Sequence, residues 1–144
     1  MVTLAKIDRN NFRDILKLSV FDKQKDYVAS NAFSMAQAKV QPECIPLAVY
    51  HGDDLIGFVM YCVDIDNNEY WIYRLMIDHK YQGKGYGRAV MQCLLDTIMS
   101  DKTRSKVYLS FNPENAVARK LYESMKFIPD GRILYGEVVY CLHY

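Results

Sequence analysis

Hydrophobic residues recur along this chain with two different periods, and the changes of period divide it into short strands and helices. Alternation or short apolar runs predict strands over residues 3–7, 45–50, 55–63, 70–78, 106–111, 127–134 and 137–144. A spacing of three to four residues predicts one helix beginning near Asn10 or Asn11, and others over residues 22–39, 86–99 and 116–126. The predicted order is βααβββαβαββ, which on pattern alone indicates an α/β or α+β domain with a mixed sheet.

The composition is that of one globular domain, which we expect to span residues 1–144. Hydrophobic residues make up 51% of the chain and charged residues 24%, proportions typical of a folded protein. No apolar run approaches the ~18 residues of a membrane-spanning helix, and the N-terminus lacks the basic-then-apolar pattern of a signal peptide. We therefore expect a cytoplasmic protein without a membrane partner. A net charge of +1 provides no positive field for nucleic acid.

The cysteines and histidines give no indication of a metal site. The four cysteines are scattered without a CxxC pair, at Cys44, Cys62, Cys93 and Cys141. Free thiols in a reducing cytoplasm are favoured over disulfides. The three histidines are isolated from one another and from the cysteines, so no metal is predicted.

A glycine-rich turn between the fourth predicted strand and the third helix carries the most chemical information. Residues 82–88 read Gln-Gly-Lys-Gly-Tyr-Gly-Arg. A turn of this kind exposes unpaired backbone N–H groups at the positive end of the helix dipole, where a phosphate or pyrophosphate can bind. The spacing matches neither GxxxxGK[ST] nor GxGxxG, so a P-loop NTPase and a dinucleotide-binding fold are both disfavoured.

The spacing Gln82-x-x-Gly85-x-Gly87 resembles the pyrophosphate loop of the GNAT family of acetyl-CoA-dependent N-acetyltransferases. A second segment, with Asn115, Ala118, Leu121 and Tyr122 in register, resembles that family's Asn-x-x-Ala-x-x-Leu-Tyr. The Gly-Phe that usually follows is Lys126-Phe127 here, which puts the end of that helix in question. The resemblance implies a GNAT fold, with central strands splayed around the arm of acetyl-CoA.

The resemblance also assigns cofactor-binding residues. Backbone groups of Leu75, Met76 and Ile77 would pair with the pantetheine arm, and Asn115 and Ala118 would complete the clamp. The pyrophosphate would bind the loop residues Gln82, Gly83, Lys84, Gly85, Tyr86, Gly87 and Arg88. For Lys84 and Arg88 a solvated surface position is an equal alternative, and for Asn115 an N-cap role is compatible with binding.

Two residues are candidates for proton transfer. The resemblance implies that Tyr122 directs its hydroxyl at the sulfur of coenzyme A, and a phenol with a pKa near ~10 is protonated at neutral pH and able to act as a general acid. Without the resemblance, Tyr122 would be a core tyrosine. Glu69 is the candidate base, on the expectation that it shares a face of its strand with Trp71, Tyr73 and Leu75; a solvated turn carboxylate is the alternative.

The acceptor is indicated less specifically. Residues 27–34, 73–78 and 81–87 resemble the bacterial spermine/spermidine (diamine) N-acetyltransferase branch. A polyamine requires carboxylates and aromatic walls, for which the candidates are Asp22, Asp26, Glu43, Tyr27, Phe33 and Trp71. A protein N-terminus or lysine, an aminoglycoside, another small amine, and a non-catalytic acetyl-CoA-binding module remain alternatives. We also expect a homodimer, with the strand at residues 137–144 as an exposed edge.

Overall fold

The computed structural model describes residues 1–144, and its elements follow the predicted order βααβββαβαββ. The strands are β1 Val2–Lys6, β2 Cys44–His51, β3 Asp54–Val63, β4 Tyr70–Ile77, β5 Lys106–Phe111, β6 Ile128–Leu134 and β7 Glu137–His143. The helices are α1 Phe12–Lys17, α2 Asn31–Val40, α3 Tyr86–Met99 and α4 Ala116–Ser124. Short 3₁₀ helices cover Asp22–Gln24 and His79–Tyr81. No helix is long and apolar enough to cross a membrane.

All seven strands form one mixed sheet, in the order β1-β2-β3-β4-β5-β7-β6. Every neighbouring pair is antiparallel except β4 and β5, which run parallel. The parallel pair is joined by α3, as a crossover between parallel strands requires. The predicted GNAT fold, an α+β arrangement with a mixed sheet, is thus confirmed.

The sheet is covered on both faces, and each face has its own core. On one face α3 buries Val90, Met91, Leu94, Leu95 and Ile98, and α4 contributes Tyr122 to the same cluster. On the opposite face, Ile15 of α1 packs with Phe58, Met60 and Trp71 of the sheet. Strand β3 is buried on both faces because it lies between these two layers.

The second predicted helix, residues 22–39, is wrong in its first half. The segment begins as a 3₁₀ turn at Asp22–Gln24, and the regular helix α2 starts only at Asn31. Ser30 sets this start, because its hydroxyl oxygen accepts a hydrogen bond from the Phe33 N–H at 3.1 Å. A serine side chain competes with the helical backbone and therefore favours an N-cap over a helix interior.

The prediction that Glu69, Trp71, Tyr73 and Leu75 share one face of their strand is wrong, because β4 contains a β-bulge. The register with β3 runs Met60↔Arg74 and then Tyr61↔Ile72, which leaves Tyr73 without a partner. The extra residue reverses the alternation beyond it. Trp71 and Tyr73 therefore pack on the α1–α2 face, whereas Leu75 packs on the α3–α4 face.

The strand assigned to a dimer edge is also corrected. β7 lies inside the sheet, paired with β5 on one side and β6 on the other. The free edge at this end of the sheet belongs to β6, all of whose residues are exposed. The homodimer itself stays a prediction.

Helix α4 ends in a Schellman motif in spite of the lysine at its end. The N–H of Phe127 donates to the Tyr122 carbonyl at 3.1 Å, and the N–H of Lys126 donates to the Glu123 carbonyl at 3.1 Å. This geometry places Lys126 at φ 75°, a left-handed conformation that glycine usually takes. The chain therefore keeps the turn that a Gly-Phe pair would make, with a backbone strain that glycine would not have.

We expect Lys126→Gly to stabilise the protein by about 1 kcal/mol. A left-handed residue with a Cβ costs roughly 1–2 kcal/mol, and the larger conformational entropy of glycine in the unfolded state offsets part of the gain from removing that strain. Urea denaturation followed by circular dichroism measures the change. Lys120→Gly is the matched control, since Lys120 is an exposed residue inside the same helix and glycine there should destabilise by about 1 kcal/mol. Equal losses from both substitutions would contradict the strain at Lys126.

Candidate active site

A cleft opens in the sheet where β4 and β5 separate. The two strands pair only through Tyr70↔Val107, Trp71↔Tyr108 and Ile72↔Leu109. Beyond Ile72 no strand pairs with this side of β4, so its backbone groups there border a cavity of about 570 Å³. The cavity is lined by β4, the glycine loop, α4, the segment before α2, and the start of β7.

The glycine loop presents a continuous row of unpaired donors at one end of the cleft. Gly83 and Gly85 adopt φ values of 77° and 83°, which only glycine takes without strain. None of the backbone N–H groups of residues 82–88 donates to an acceptor within the chain. A Cβ added at Gly83 or Gly85 would meet no atom within 4 Å, so open space faces the loop. This row, at the N-terminus of α3, is suited to bind an anion.

Two buried contacts hold the loop in place. Asp78, at the end of β4, is 4% exposed, and its carboxylate accepts hydrogen bonds from the backbone N–H groups of Ser19 and Lys80. The side-chain amides of Gln24 and Gln82 bond to each other reciprocally at 2.9 and 3.0 Å. The second contact joins the loop to the segment that borders the opposite end of the cleft.

Most of the predicted cofactor-binding residues come together in this cavity. Those that line it are Leu75, Met76, Ile77, Gln82, Gly83, Gly85, Tyr86, Gly87, Asn115, Ala118 and Tyr122. Lys84 and Arg88 do not: the Lys84 ammonium lies over the Tyr81 ring at 6.0 Å, and Arg88 donates to the Ser124 hydroxyl at 2.7 Å. Asn115 also caps α4, because its side-chain oxygen accepts from the Ala118 N–H at 3.2 Å.

Tyr122 stands on α4 with its ring inside the core and one side toward the cleft. It is 9% exposed, and its ring packs against Phe111 and Phe127 at centroid distances of 5.6 and 5.9 Å. Burial raises the pKa of the Tyr122 phenol well above its ordinary value, and the negative charge of Glu137 raises it further. The hydroxyl therefore keeps its proton throughout the physiological pH range.

The other end of the cleft combines predicted and unpredicted residues. Asp26 and Tyr27 line it as expected, together with Lys25. Arg74 and Glu137 also line it, although neither was a candidate from the sequence. The Arg74 guanidinium donates to the Ser34 hydroxyl, the Gln37 side-chain oxygen and the Tyr73 carbonyl. Burial lowers the pKa of Arg74, while the charge of Glu137 opposes this effect.

Three predicted residues lie outside the cavity lining. Glu69 precedes the first residue of β4, at the end away from the glycine loop. Trp71 is 7% exposed and stacks on Tyr108 at a centroid distance of 5.3 Å. Glu43 lies just before β2 and does not reach the cleft. The structure therefore does not bring the predicted base and the predicted general acid into one cavity.

Two of the weaker acceptor candidates are surface residues. Asp22 forms an exposed ion pair with Lys25 at 2.8 Å, and Phe33 is 60% exposed on α2. All four cysteines are free thiols, and none of them lines the cavity. No group of three metal-binding side chains comes together anywhere in the chain.

Comparison with known families decides the membership of the chain. A family model described as the acetyltransferase (GNAT) family matches residues 9–127. The chain belongs to the GNAT family. The enzymes of this family are N-acetyltransferases that use acetyl-CoA.

Individual relatives agree with this membership. The spermine/spermidine N(1)-acetyltransferase of Bacillus subtilis (strain 168) is 29% identical in an alignment of length 138 that covers 92% of this chain and 91% of that protein. The crystal structure of Vibrio cholerae spermidine N-acetyltransferase with CoA and spermine superposes with a TM-score of 0.76 at 21% identity, covering 99% of this chain and 94% of that one. The ribosomal-protein-S18-alanine N-acetyltransferase of Escherichia coli superposes with a TM-score of 0.73 at 18% identity, over 99% and 94% of the two chains. At these identities the two structures establish the fold alone.

The residues of the cleft fit acetyl-CoA. The cofactor has a doubly charged diphosphate, an extended arm of two amides, and a thioester at its tip. The seven unpaired N–H groups of residues 82–88 suit the diphosphate, and the unpaired side of β4 suits the amides. Tyr122 lines the same cavity.

We expect Gly85→Ala to weaken coenzyme A binding about tenfold, because a left-handed alanine costs roughly 1–2 kcal/mol and its methyl group occupies the space in front of the loop. Isothermal titration calorimetry with coenzyme A measures the effect. Gly131→Ala is the matched control: Gly131 has φ 92° and equally open surroundings, but lies in β6 away from the cleft. Unchanged affinity in Gly85→Ala would show that the anion binds elsewhere.

Proposed function

We propose that this protein, acting as a single domain over residues 1–144, transfers the acetyl group of acetyl-CoA to a primary amine of a polyamine such as spermine or spermidine. The transfer is direct, within a ternary complex. The observation that carries this proposal is the single cavity shared by the glycine loop, Tyr122 and the acceptor-side residues Asp26 and Tyr27. Both substrates can therefore lie in one continuous space.

The cofactor side of the cleft performs binding and orientation. Acetyl-CoA, when bound, supplies an activated acetyl thioester. The glycine loop holds its diphosphate, the unpaired side of Leu75, Met76 and Ile77 holds its arm, and Asn115 fixes the start of α4 against it. These groups belong to elements of the core and require little rearrangement on binding, which is the condition for accurate positioning.

Tyr122 holds the proton that the thiol product requires. Its pKa is raised by burial, so the phenol is fully protonated at neutral pH and its O–H can donate a hydrogen bond to the sulfur as negative charge develops there. Glu69 stays the sequence-based candidate for the base that serves the amine. Its position outside the cavity lining would require it to act through intervening water.

Direct transfer is supported by the absence of a thiol nucleophile. A covalent acetyl-enzyme on sulfur needs a cysteine in the cleft, and none of the four cysteines lines it. This lining favours direct attack of the acceptor amine on the thioester. Initial-velocity plots with both substrates varied should intersect, whereas parallel lines would indicate a covalent intermediate.

The choice of a polyamine rests on the cleft and on the relatives. The acceptor side has two carboxylates in its lining, Asp26 and Glu137, and the aromatic walls of Tyr27 and Tyr73, which suit a chain of methylenes and ammonium groups. The B. subtilis relative is named for spermine and spermidine. A protein N-terminus or lysine, or another small amine, would use the same cofactor side and would be distinguished by the acceptor alone.

A coenzyme A-release assay over a panel of acceptors tests the function. The panel contains spermine, spermidine, putrescine, lysine, a ribosomal-protein N-terminal peptide and an aminoglycoside. We expect kcat/KM to be highest for spermine or spermidine. Preference for the peptide or the aminoglycoside would replace the polyamine assignment. If none of the amines causes coenzyme A release, the protein is a module that binds acetyl-CoA without catalysis.

Replacing Tyr122 by phenylalanine removes the proposed acid and leaves the packing of its ring. We expect Tyr122→Phe to lower kcat by roughly 10²-fold, the lower range for general acid catalysis, with coenzyme A affinity unchanged. Tyr135→Phe is the control, because Tyr135 is fully exposed at the turn between β6 and β7. A kcat equal to that of the unmodified enzyme would remove Tyr122 from the proton transfer.

A further inference from the structure

We propose that Glu137 is the carboxylate that binds the cationic nitrogen of the acceptor amine beside Tyr122. The inference deepens the proposed function and rests on it, since it names the residue by which that site selects an amine. No motif of the sequence points to residue 137, and its role follows from where the fold places it.

The backbone of Glu137 is fixed by a tight turn. Tyr135 and Gly136 have φ values of 52° and 81°, the signs of a two-residue hairpin turn that matches the twist of the flanking strands. The turn pairs Leu134 with Glu137, and the next residue, Val138, pairs with Phe111 at the end of β5. Glu137 is thereby held at the edge of the cleft that the separation of β4 and β5 creates.

One oxygen of the Glu137 carboxylate is already positioned. The Ser110 hydroxyl, on the neighbouring strand β5, donates to Oε1 at 2.8 Å. No lysine or arginine forms an ion pair with the carboxylate. Its negative charge therefore borders the cavity with a fixed direction and without a cation in contact, an arrangement that a cationic ligand would complete.

The surrounding charges support this reading. The charge of Glu137 adds to the raised pKa of Tyr122, and it acts against the lowered pKa of Arg74. Arg74 does not neutralise the carboxylate by contact, because its guanidinium is engaged by Ser34 and Gln37 of α2. An ammonium group that enters the cavity near Tyr122 would therefore find one carboxylate without a cation in contact, that of Glu137.

The other carboxylates near the cleft are less suited to this role. Asp26 is exposed at the rim, next in sequence to Lys25. Asp64 already accepts a hydrogen bond from the Tyr73 hydroxyl at 3.1 Å, and it does not line the cavity, nor do Glu43 and Glu69. Glu137 is the carboxylate that combines a place in the cavity with electrostatic contact to Tyr122.

The test measures binding without turnover. Spermidine, or the amine that the unmodified enzyme prefers in the acceptor panel, is titrated calorimetrically into the complex with coenzyme A. We expect Glu137→Gln to weaken amine binding about 10- to 100-fold, the range for a lost hydrogen bond between charged partners, and to raise KM for the amine. Coenzyme A affinity and melting temperature should stay unchanged, because the glutamine oxygen still accepts from Ser110.

Three further variants complete the test. Asp96→Asn removes the same charge from an exposed position on α3 and should leave amine binding unchanged. Ser110→Ala releases the positioned oxygen and should weaken amine binding less than Glu137→Gln does, with recovery in Ser110→Thr. The two Ser110 variants also give a measurement of the site if Glu137→Gln does not fold.

The outcomes separate the two proposals. If the unmodified enzyme acetylates an amine and Glu137→Gln binds that amine equally well, the inference about Glu137 is wrong and the function stands. If polyamines are not acetylated but another amine is, the polyamine assignment fails and Glu137 is judged on that other amine. If no amine binds or reacts, both proposals fail.

Discussion

The separation of β4 from β5 after three paired residues is the constraint on which the rest of the molecule depends. A continuous sheet would satisfy these backbone groups internally and leave no space between the two halves of the chain. Here the side of β4 beyond Ile72 has no strand partner, and the bulge at Tyr73 changes the direction of the side chains at the same point. An extended ligand with amide groups can take the place of the missing strand, as in β-augmentation.

The two ends of the cleft differ in the groups that carry their charge. At one end, backbone N–H groups and a helix dipole provide a positive potential without any ionised side chain in the lining, since Lys84 and Arg88 turn away. At the other end, Arg74 is held by neutral partners and Glu137 by a serine. Tyr122 lies between the two ends, where burial keeps its phenol protonated.

Local signals in the sequence were sufficient for most of the fold. The bounds of α3 and β5 agree with the prediction at every residue, because a glycine N-cap, a regular apolar period and a short apolar run define them. The loop glycines and the Asn115–Tyr122 segment were assigned through their resemblance to the motifs of the GNAT family. The end of α4 shows the limit of such signals, since Lys126 takes a glycine conformation that no propensity indicates.

The remaining parts of the site depend on contacts between distant residues. The bulge at Tyr73 arises from the register with β3, and it reverses the alternation by which Glu69 was expected to face the same side as Leu75. Residues 137 and 122 line the same cavity only because β7 inserts beside β5, an arrangement that a one-dimensional pattern does not contain. The sequence around Arg74 predicts only a strand, and the contacts of its guanidinium with α2 become visible only in the folded structure.

The two sides of the cleft are formed by different parts of the chain, and this difference has an evolutionary consequence. The cofactor side combines the glycine loop with β4 and α4, whose buried residues belong to the two cores, whereas residues 20–29 before α2 contain only short turns and a bend. Their link to the opposite side is the amide pair of Gln24 and Gln82. Lineages that keep this pair, and the apolar residues Val20 and Val28 that pack against the sheet, can vary the other positions of the segment at low cost to folding. New acceptors can then arise by drift in a single short stretch, while the donor chemistry is inherited intact.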